Sequence, residues 1–298
     1  MPVNEPSTLR RGPFQPGDRV QITDRKGRKH TLWLEAAAVF HTHHGQVAHD
    51  DLIGKPEGSV VTSSSGSAYL ALRPTLADVT LSMPRGATVV YPKDATAILG
   101  AADIGPGLTV VEAGAGSGAL SMWLLRAVGE HGRVHSFERR DDFADVAARN
   151  VERYFGQRPP QWTLTVGDLA ELLAQHHEPG SVDRVVLDML APWECLAAVA
   201  DALVPGGLLC VYVATTTQLS RVVEAARDSE CFTEPASAET MQRSWHVEGL
   251  AVRPDHRMVG HTGFLVTTRR LAPGTTPPMR ARRPAPGALR GGESAQAR

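Results

Sequence analysis

From residue 92 to residue 271 the chain alternates two patterns of apolar and polar positions. Short apolar runs rich in β-branched residues predict buried strands, and longer stretches with apolar positions every three or four residues predict helices packed by one face. A helix over Lys93–Ala101, with Pro92 near its start, opens the series. Strand Leu108–Glu112 then leads to helix Gly118–Val128, strand Arg133–Glu138 to helix Asp142–Tyr154, and strand Thr163–Val166 to a short helix near Leu169–Ala174. Strand Arg184–Asp188 leads to helix Trp193–Leu203, and strand Leu208–Val213 to helix Thr217–Arg227. Arg184-Val185-Val186-Leu187 is apolar after its first residue, as a parallel strand covered on both faces should be. Such alternation predicts an α/β fold with a doubly wound sheet. Further strands in Cys231–Glu234, Trp245–Val252 and Thr262–Thr268 follow with no helix between them, so at least one pairs antiparallel.

Residues 18–73 carry a different period. Arg19-Val20-Gln21-Ile22, His30-Thr31-Leu32-Trp33-Leu34, Gly58-Ser59-Val60-Val61 and Ala68-Tyr69-Leu70-Ala71-Leu72 are short runs punctuated by turn residues, which predicts a small β domain. Before it, residues 1–17 hold Pro2, Pro6, Pro13 and Pro16 and little that could pack, the composition of a flexible arm. Residues 74–91 read as a connector to the α/β domain of residues 92–271. Residues 272–298 are rich in Pro, Gly, Ala and Arg and read as a disordered tail, either without a role or weakly attracted to RNA.

Composition changes this picture little. A net charge of −1 gives no global signature of a nucleic-acid binder, although a local patch can supply the field. The 3 cysteines, Cys195, Cys210 and Cys231, have neither metal spacing nor a disulfide framework, which fits a cytoplasmic protein. No apolar run is long enough to span a bilayer. His41, His43, His44 and His49 follow no standard metal spacing, so no metal is expected. Arg19, Arg25, Lys26, Arg28 and Lys29 form a basic cluster that is either a solvated face or a set of phosphate contacts.

The candidate chemistry lies at the strand ends. Val110-Val111-Glu112-Ala113-Gly114-Ala115-Gly116-Ser117-Gly118-Ala119-Leu120 reads as strand, tight turn and helix start, a cradle for a nucleotide-like cofactor. Its glycines also satisfy the loose dinucleotide pattern. Glu138 ends the next strand about 20 residues on, where an acid binds ribose hydroxyls of either cofactor class. Four successive strand ends carry acids: Glu112, Glu138, Asp168 and Asp188. Any one of them alone reads as a helix cap or a solvated loop residue. Together they suit S-adenosylmethionine, which carries an ammonium and a sulfonium, better than a dinucleotide with two phosphates. Asp168 can accept from an adenine amine, and Glu112 or Asp188 from a methionine ammonium. Asp188-Met189-Leu190-Ala191-Pro192-Trp193 places a carboxylate and a flat aromatic at one mouth, where an adenine substrate could stack; alternatively Trp193 only opens a helix and packs. Tyr212 and Tyr91 point to the same region.

At these positions the chain resembles the TrmI-type tRNA (adenine-N1) methyltransferases, particularly their actinobacterial members. The matching segments are Tyr91-Pro92-Lys93-Asp94, Glu112 to Gly118, Asp188 to Trp193, Tyr212 to Gln218, Gly260-His261-Thr262-Gly263-Phe264-Leu265-Val266 and Phe40-His41-Thr42-His43-His44-Gly45, and the resemblance covers residues 14–271. It implies a class I (Rossmann-like) methyltransferase sheet with an antiparallel final strand beside the small β domain. It implies a homotetramer that uses S-adenosylmethionine to methylate N1 of adenine 58 in the tRNA T-loop. Carried over by position, Asp188 is the main catalytic residue, and Tyr91 and Tyr212 line the adenine pocket. Glu112, Gly114, Gly116, Ser117, Gly118, Ala119, Leu120, Glu138, Phe143, Asp168 and Asp188 would contact the cofactor. Phe143 stands where relatives can place a polar residue, and Ala214 replaces a usual proline. A dinucleotide-dependent oxidoreductase and a noncatalytic tRNA-binding subunit are the competing readings.

Overall fold

The computed structural model describes residues 11–86 and 88–277. Its N-terminal part contains β1 (Arg19–Thr23), β2 (Lys29–Trp33), β3 (Val39–Thr42), β4 (Gly45–Ala48), β5 (Val60–Thr62) and β6 (Ala68–Leu72). Four of these form an antiparallel sheet in the order β2-β1-β6-β5, and β3 and β4 form a separate hairpin. Alternation works as expected in β6, where Tyr69 and Ala71 are buried and Leu70 and Leu72 face outward.

The expected flexible arm is corrected over its described part. Phe14 is buried with Val20, Ile22, Leu34 and Tyr69. Its N–H donates to the Lys55 carbonyl (2.9 Å), and the Arg73 guanidinium lies 4.9 Å from its ring centroid. One aromatic among prolines suffices to anchor the segment, because burying it removes a large apolar surface from water. Residues 1–10 lie outside the described residues, as does the arginine-rich part of the tail from 278 onward. The connector also differs from expectation. It contains α1 (Leu76–Ser82), started by a capping box in which Thr75 and Asp78 satisfy each other's backbone N–H groups. Lys29 of β2 pairs with Asp78 (2.6 Å), and Arg19 donates to Ser82 (3.1 Å), so α1 joins the small sheet to the rest.

The larger part holds α2 (Pro92–Ala101), β7 (Thr109–Ala113), α3 (Ala119–Val128), β8 (Arg133–Glu138), α4 (Asp141–Phe155), β9 (Trp162–Val166), α5 (Leu169–His176) and β10 (Val182–Asp188). After a 3-10 turn at Pro192–Cys195 come α6 (Leu196–Ala202), β11 (Leu203–Val213), α7 (Thr216–Asp228), β12 (Ala236–Glu239), β13 (Trp245–Glu248), β14 (Ala251–Pro254) and β15 (Phe264–Arg269). The sheet order is β12-β15-β11-β10-β7-β8-β9. β7 to β11 run parallel, and β15 is antiparallel to both neighbours, β11 and β12. Val110, Val134, Val186 and Cys210 pack under α2, α3 and α4 on one face. Val111, Phe137, Val185, Leu187 and Val211 pack under α5, α6 and α7 on the other.

Two late strands fall elsewhere than expected. Cys231–Glu234 makes only an isolated bridge, Phe232 with Arg270, and the strand begins after Pro235, whose missing N–H interrupts the ladder. Trp245–Val252 belongs to a two-stranded hairpin, β13 with β14, outside the main sheet. From β7 the chain winds outward through β8 and β9, then crosses back to β10 and β11. The carboxyl ends of β7 and β10 therefore flank the switch point, where open α/β sheets form their binding crevice.

Candidate functional site

The turn after β7 is fitted against the end of β10. Gly114 has φ +85°, and a Cβ there would lie 1.8 Å from the Asp188 carbonyl oxygen. No L side chain fits this approach, so the glycine is a steric requirement. Asn150 of α4 holds the turn from behind, donating to the Ser117 carbonyl (2.9 Å) and the Pro84 carbonyl (2.8 Å). Gly118 is the N-cap of α3, whose first residues, Ala119 and Leu120, are buried. Their N–H groups belong to the first helical turn, which has no carbonyl acceptor within the helix.

Around this turn stand the four acids. Glu138 accepts from the Gly116 N–H (2.8 Å) and the Arg140 N–H (3.1 Å), so it bridges the glycine turn and the start of α4. Glu112 is fully buried; its Oε2 accepts from Ser121 (2.6 Å) and Ser136 (2.5 Å), and Ser136 accepts from the Trp162 indole N–H (2.9 Å). Its other oxygen, Oε1, has no partner. Burial pushes the Glu112 carboxyl up to about 7; the two serines oppose that, and Asp188 and Glu138 add to it. Asp188 is also pushed up to about 7, by burial and then by Glu138. Its carboxylate accepts no hydrogen bond from the described residues. Asp168 differs from the other three. It caps α5, accepting from the Ala170 N–H (2.8 Å), and lies 3.4 Å from the Arg139 guanidinium.

Tyr212 ends β11 nearly buried, and its phenol, raised by burial, lies close enough to feel both Asp94 and Asp188. Tyr91 occupies the N-cap position of α2, half-buried, without a side-chain cap bond. Phe143 carries the Arg140 guanidinium 3.5 Å from its ring centroid. Its Cε1 would be 2.6 Å from a Cβ on Gly86, so it sits at the edge where α4 meets the segment after α1. Trp193 packs into the α6–α7 core with Arg221 3.9 Å over its ring, which favours the packing reading over an adenine platform. Gln218 closes a capping box with Thr215 and donates to the Leu190 carbonyl (3.0 Å), tying the β11 and β10 loops together.

Several site features were not readable beforehand. Ser121, Ser136 and Trp162 support Glu112, and Lys93, Asp94 and Thr262 surround Tyr212. Serines and threonines inside apolar runs give no periodic signal, so only the fold brings them together. Outside the site, the described residues hold no group that could bind a metal ion. In the basic cluster Arg19 is buried, Arg28 pairs with Asp24 (2.7 Å) and Lys29 with Asp78 (2.6 Å), which leaves Arg25 and Lys26 exposed.

The donor set fits S-adenosylmethionine. A glycine cradle that a Cβ would fill, a buried carboxylate oxygen without a partner, and a carboxylate open to the crevice suit a small cationic nucleoside. They oppose a diphosphate.

Comparison with known proteins agrees. Residues 12–61 match the TrmI-like N-terminal family, and residues 66–252 match the family described as tRNA methyltransferase complex GCD14 subunit. The chain is 39% identical over 249 residues to the tRNA (adenine(58)-N(1))-methyltransferase TrmI of Thermus thermophilus, covering 84% of this chain and 95% of that one. It is 30% identical over 272 residues to the tRNA (adenine(57)-N(1)/adenine(58)-N(1))-methyltransferase TrmI of Methanocaldococcus jannaschii, covering 83% and 93%. Among solved structures it superposes on a SAM-dependent O-methyltransferase from Thermotoga maritima with TM-score 0.81, 29% identity and coverage of 87% and 95%. It superposes on tRNA (m1A58) methyltransferase TrmI from Aquifex aeolicus with TM-score 0.76, 26% identity and coverage of 88% and 100%. The sheet order, the acid-ringed glycine turn and these matches agree: the chain belongs to the TrmI/GCD14 family of tRNA methyltransferases.

Proposed function

We propose that this chain transfers the methyl group of S-adenosylmethionine to N1 of adenine 58 in the T-loop of tRNA. The observation that carries the reading is the pair of carboxyl groups with open acceptor positions, Glu112 and Asp188, beside the Gly114 turn at the switch point. Bound there, S-adenosylmethionine supplies an electrophilic methyl group on a sulfonium. Gly114, Gly116, Ser117, Gly118, Ala119 and Leu120 receive its methionine end by close backbone approach and open N–H groups. Glu112 and Asp188 supply negative charge to its cationic groups, Glu138 accepts from its ribose, and Asp168 and Phe143 border its adenine.

Asp188 has a second role. It accepts a hydrogen bond from the exocyclic amine of the substrate adenine and so holds N1 in line with the methyl group. As the ring becomes cationic, the Asp188 carboxylate stabilises that charge and then helps remove a proton. Tyr91 and Tyr212 line the pocket that receives the base once it leaves its stack. The oxidoreductase reading lacks support at the site, where the unpaired acids would repel a diphosphate.

The homotetramer belongs to the proposal. Trp245, Val247, Leu250 and Val252 on the β13–β14 hairpin are exposed apolar residues of the kind that subunit contacts cover, and light scattering of the purified protein measures the assembly. No helix of the described residues is long and apolar enough to cross a membrane, and a cytoplasmic enzyme is the matching reading. The deciding experiment incubates unmodified tRNA with the protein and methyl-labelled S-adenosylmethionine, then identifies nucleosides by mass spectrometry. Labelled N1-methyladenosine at position 58 is expected. Its absence, with S-adenosylmethionine bound, leaves the noncatalytic subunit in possession.

A further inference from the structure

Tyr212 is held by a buried network that no motif reading assigned. Asp94, in the first turn of α2, is 1% exposed. Its Oδ2 accepts from Thr262 Oγ1 (2.6 Å) and lies 3.4 Å from the Tyr212 hydroxyl. Its Oδ1 accepts from the Lys93 ammonium (2.7 Å). The same ammonium donates to the Thr240 carbonyl (2.6 Å) and to Thr262 Oγ1 (2.6 Å), so all three of its protons are used. The Tyr212 ring is pinned from the other side by Gly263, where a Cβ would come within 2.4 Å of the ring.

The placement of these partners matters more than their number. Thr240 directly follows β12 and Thr262 shortly precedes β15. The chain between them leaves the sheet, forms the β13–β14 hairpin and returns. Lys93 therefore fastens both ends of that excursion at one point. A second fastening lies beside it: His261 donates through Nε2 to the Ala214 carbonyl (2.8 Å), and its Nδ1 is 2.6 Å from Glu239 Oε1. Tyr212 and Ala214, which bracket the end of β11, are thus both tied to the base of the projecting segment.

We infer that Lys93 and Asp94 are positioning residues that lock Tyr212 and the base of the 241–261 excursion into one rigid wall of the adenine pocket. This rests on Tyr212 lining that pocket, as proposed above. A buried ion pair whose every valence is taken adds geometry rather than net stability, so its removal should show in turnover before folding. The wall also makes the excursion a lever: contacts made by the hairpin, with another subunit or with tRNA, reach Tyr212 through two side chains.

The test uses the full chain with unmodified tRNA. Asp94→Asn and Lys93→Met are expected to lower kcat about tenfold or more, with S-adenosylmethionine Kd within about threefold. Hydrogen exchange across 241–261 should quicken in both, and Lys93→Arg should restore part of kcat. A double-mutant cycle isolates the route: adding Asp94→Asn to Tyr212→Phe should cost little beyond Tyr212→Phe alone. Additive losses, or unchanged kcat and exchange in Asp94→Asn and Lys93→Met, overturn the inference. Full kcat in Tyr212→Ala overturns the pocket assignment instead, so the two failures are distinguishable. If Asp94→Asn does not fold, Lys93→Met and Thr262→Val carry the same comparison.

Discussion

The two ends of the main sheet make an instructive pair. At the amino ends of β7, β8 and β9 lies a cavity of about 880 Å³ bordered by His131, His135, His176 and His177. At the carboxyl ends lie the glycine turn and its acids. Both ends bury titratable groups, and burial drives each kind toward its neutral form: His135 is pushed down to about 4, Glu112 and Asp188 up to about 7. What separates them is saturation. His135 places Nδ1 2.9 Å from His177 Nε2 and Nε2 2.8 Å from Thr165 Oγ1, so both ring nitrogens are occupied. Glu112 Oε1 has no partner, and the Asp188 carboxylate accepts nothing from the described residues. An open valence in a buried place is costly unless something fills it, so unsatisfied acids mark a ligand site better than volume does.

The sharpest test of that contrast is Asp188→Asn. The substitution keeps shape and removes the acceptor charge. Turnover on tRNA should fall about 10²- to 10⁴-fold, more than S-adenosylmethionine affinity, which also weakens because one of the two carboxylates facing its cationic groups is lost. Turnover and calorimetric binding measured on one preparation separate the two effects. Unchanged turnover would sink the assignment of Asp188.

A second test uses the opposite signs of the two ends. Glu112 and Asp188 have folded values above their ordinary range. The folded chain therefore holds protons that the unfolded chain has released, and stability is lost as pH rises from about 3.8 (Asp188) or 4.5 (Glu112) through about 7. His135 has a folded value below its ordinary range, so its contribution is lost as pH falls through the interval from about 6.5 to about 4. Over one window the two ends oppose each other. In Glu112→Gln the fall in stability of the ligand-free protein from pH 5 to pH 8 should shrink by about 3 kcal/mol. Urea unfolding at both pH values measures it, and an unchanged difference would falsify the buried-acid account. Binding of S-adenosylmethionine should release protons near neutrality, because its cations favour the ionised carboxylates.

The sequence revealed the saturated features poorly and the open ones well. Gly114, Glu112, Glu138 and Asp188 stand at strand ends, and period alone locates strand ends to within a residue or two: β7 runs to Ala113 and β10 to Asp188. The double winding and the presence of at least one antiparallel late strand follow from the same count of strands and helices, whereas the pairing of that strand, β15, with β11 does not. What escaped was tertiary. Phe14 looked unpackable among prolines until the Arg73 and Lys55 contacts enclosed it. The helix over Leu76–Ser82 is only two turns long, short enough that its apolar spacing does not rise above the surrounding loop. Asp168 caps α5, one of the two readings its position allows in the sequence, and Trp193 packs into the core because Arg221 and α7 cover it. Lys93 and Asp94 sit far in sequence from Thr240 and Thr262, and no local pattern joins them.

The smallest effect is expected at the histidine-lined cavity. His177→Ala removes one hydrogen-bond partner of His135 and leaves Nδ1 facing the cavity, where water replaces the lost contact. Stability should drop by about 1 kcal/mol, the usual net worth of one such bond, and kcat and S-adenosylmethionine Kd should stay within about twofold of the parent. Thermal unfolding at pH 8, where His135 is neutral, isolates the lost bond from any change in protonation. His135 lies three residues before Glu138 on β8 and His177 follows α5, and no hydrogen bond among the described residues joins these histidines to Asp188 or Glu138. A large loss of turnover in His177→Ala would break the contrast between the two ends, because it would make the closed end part of the catalytic machinery.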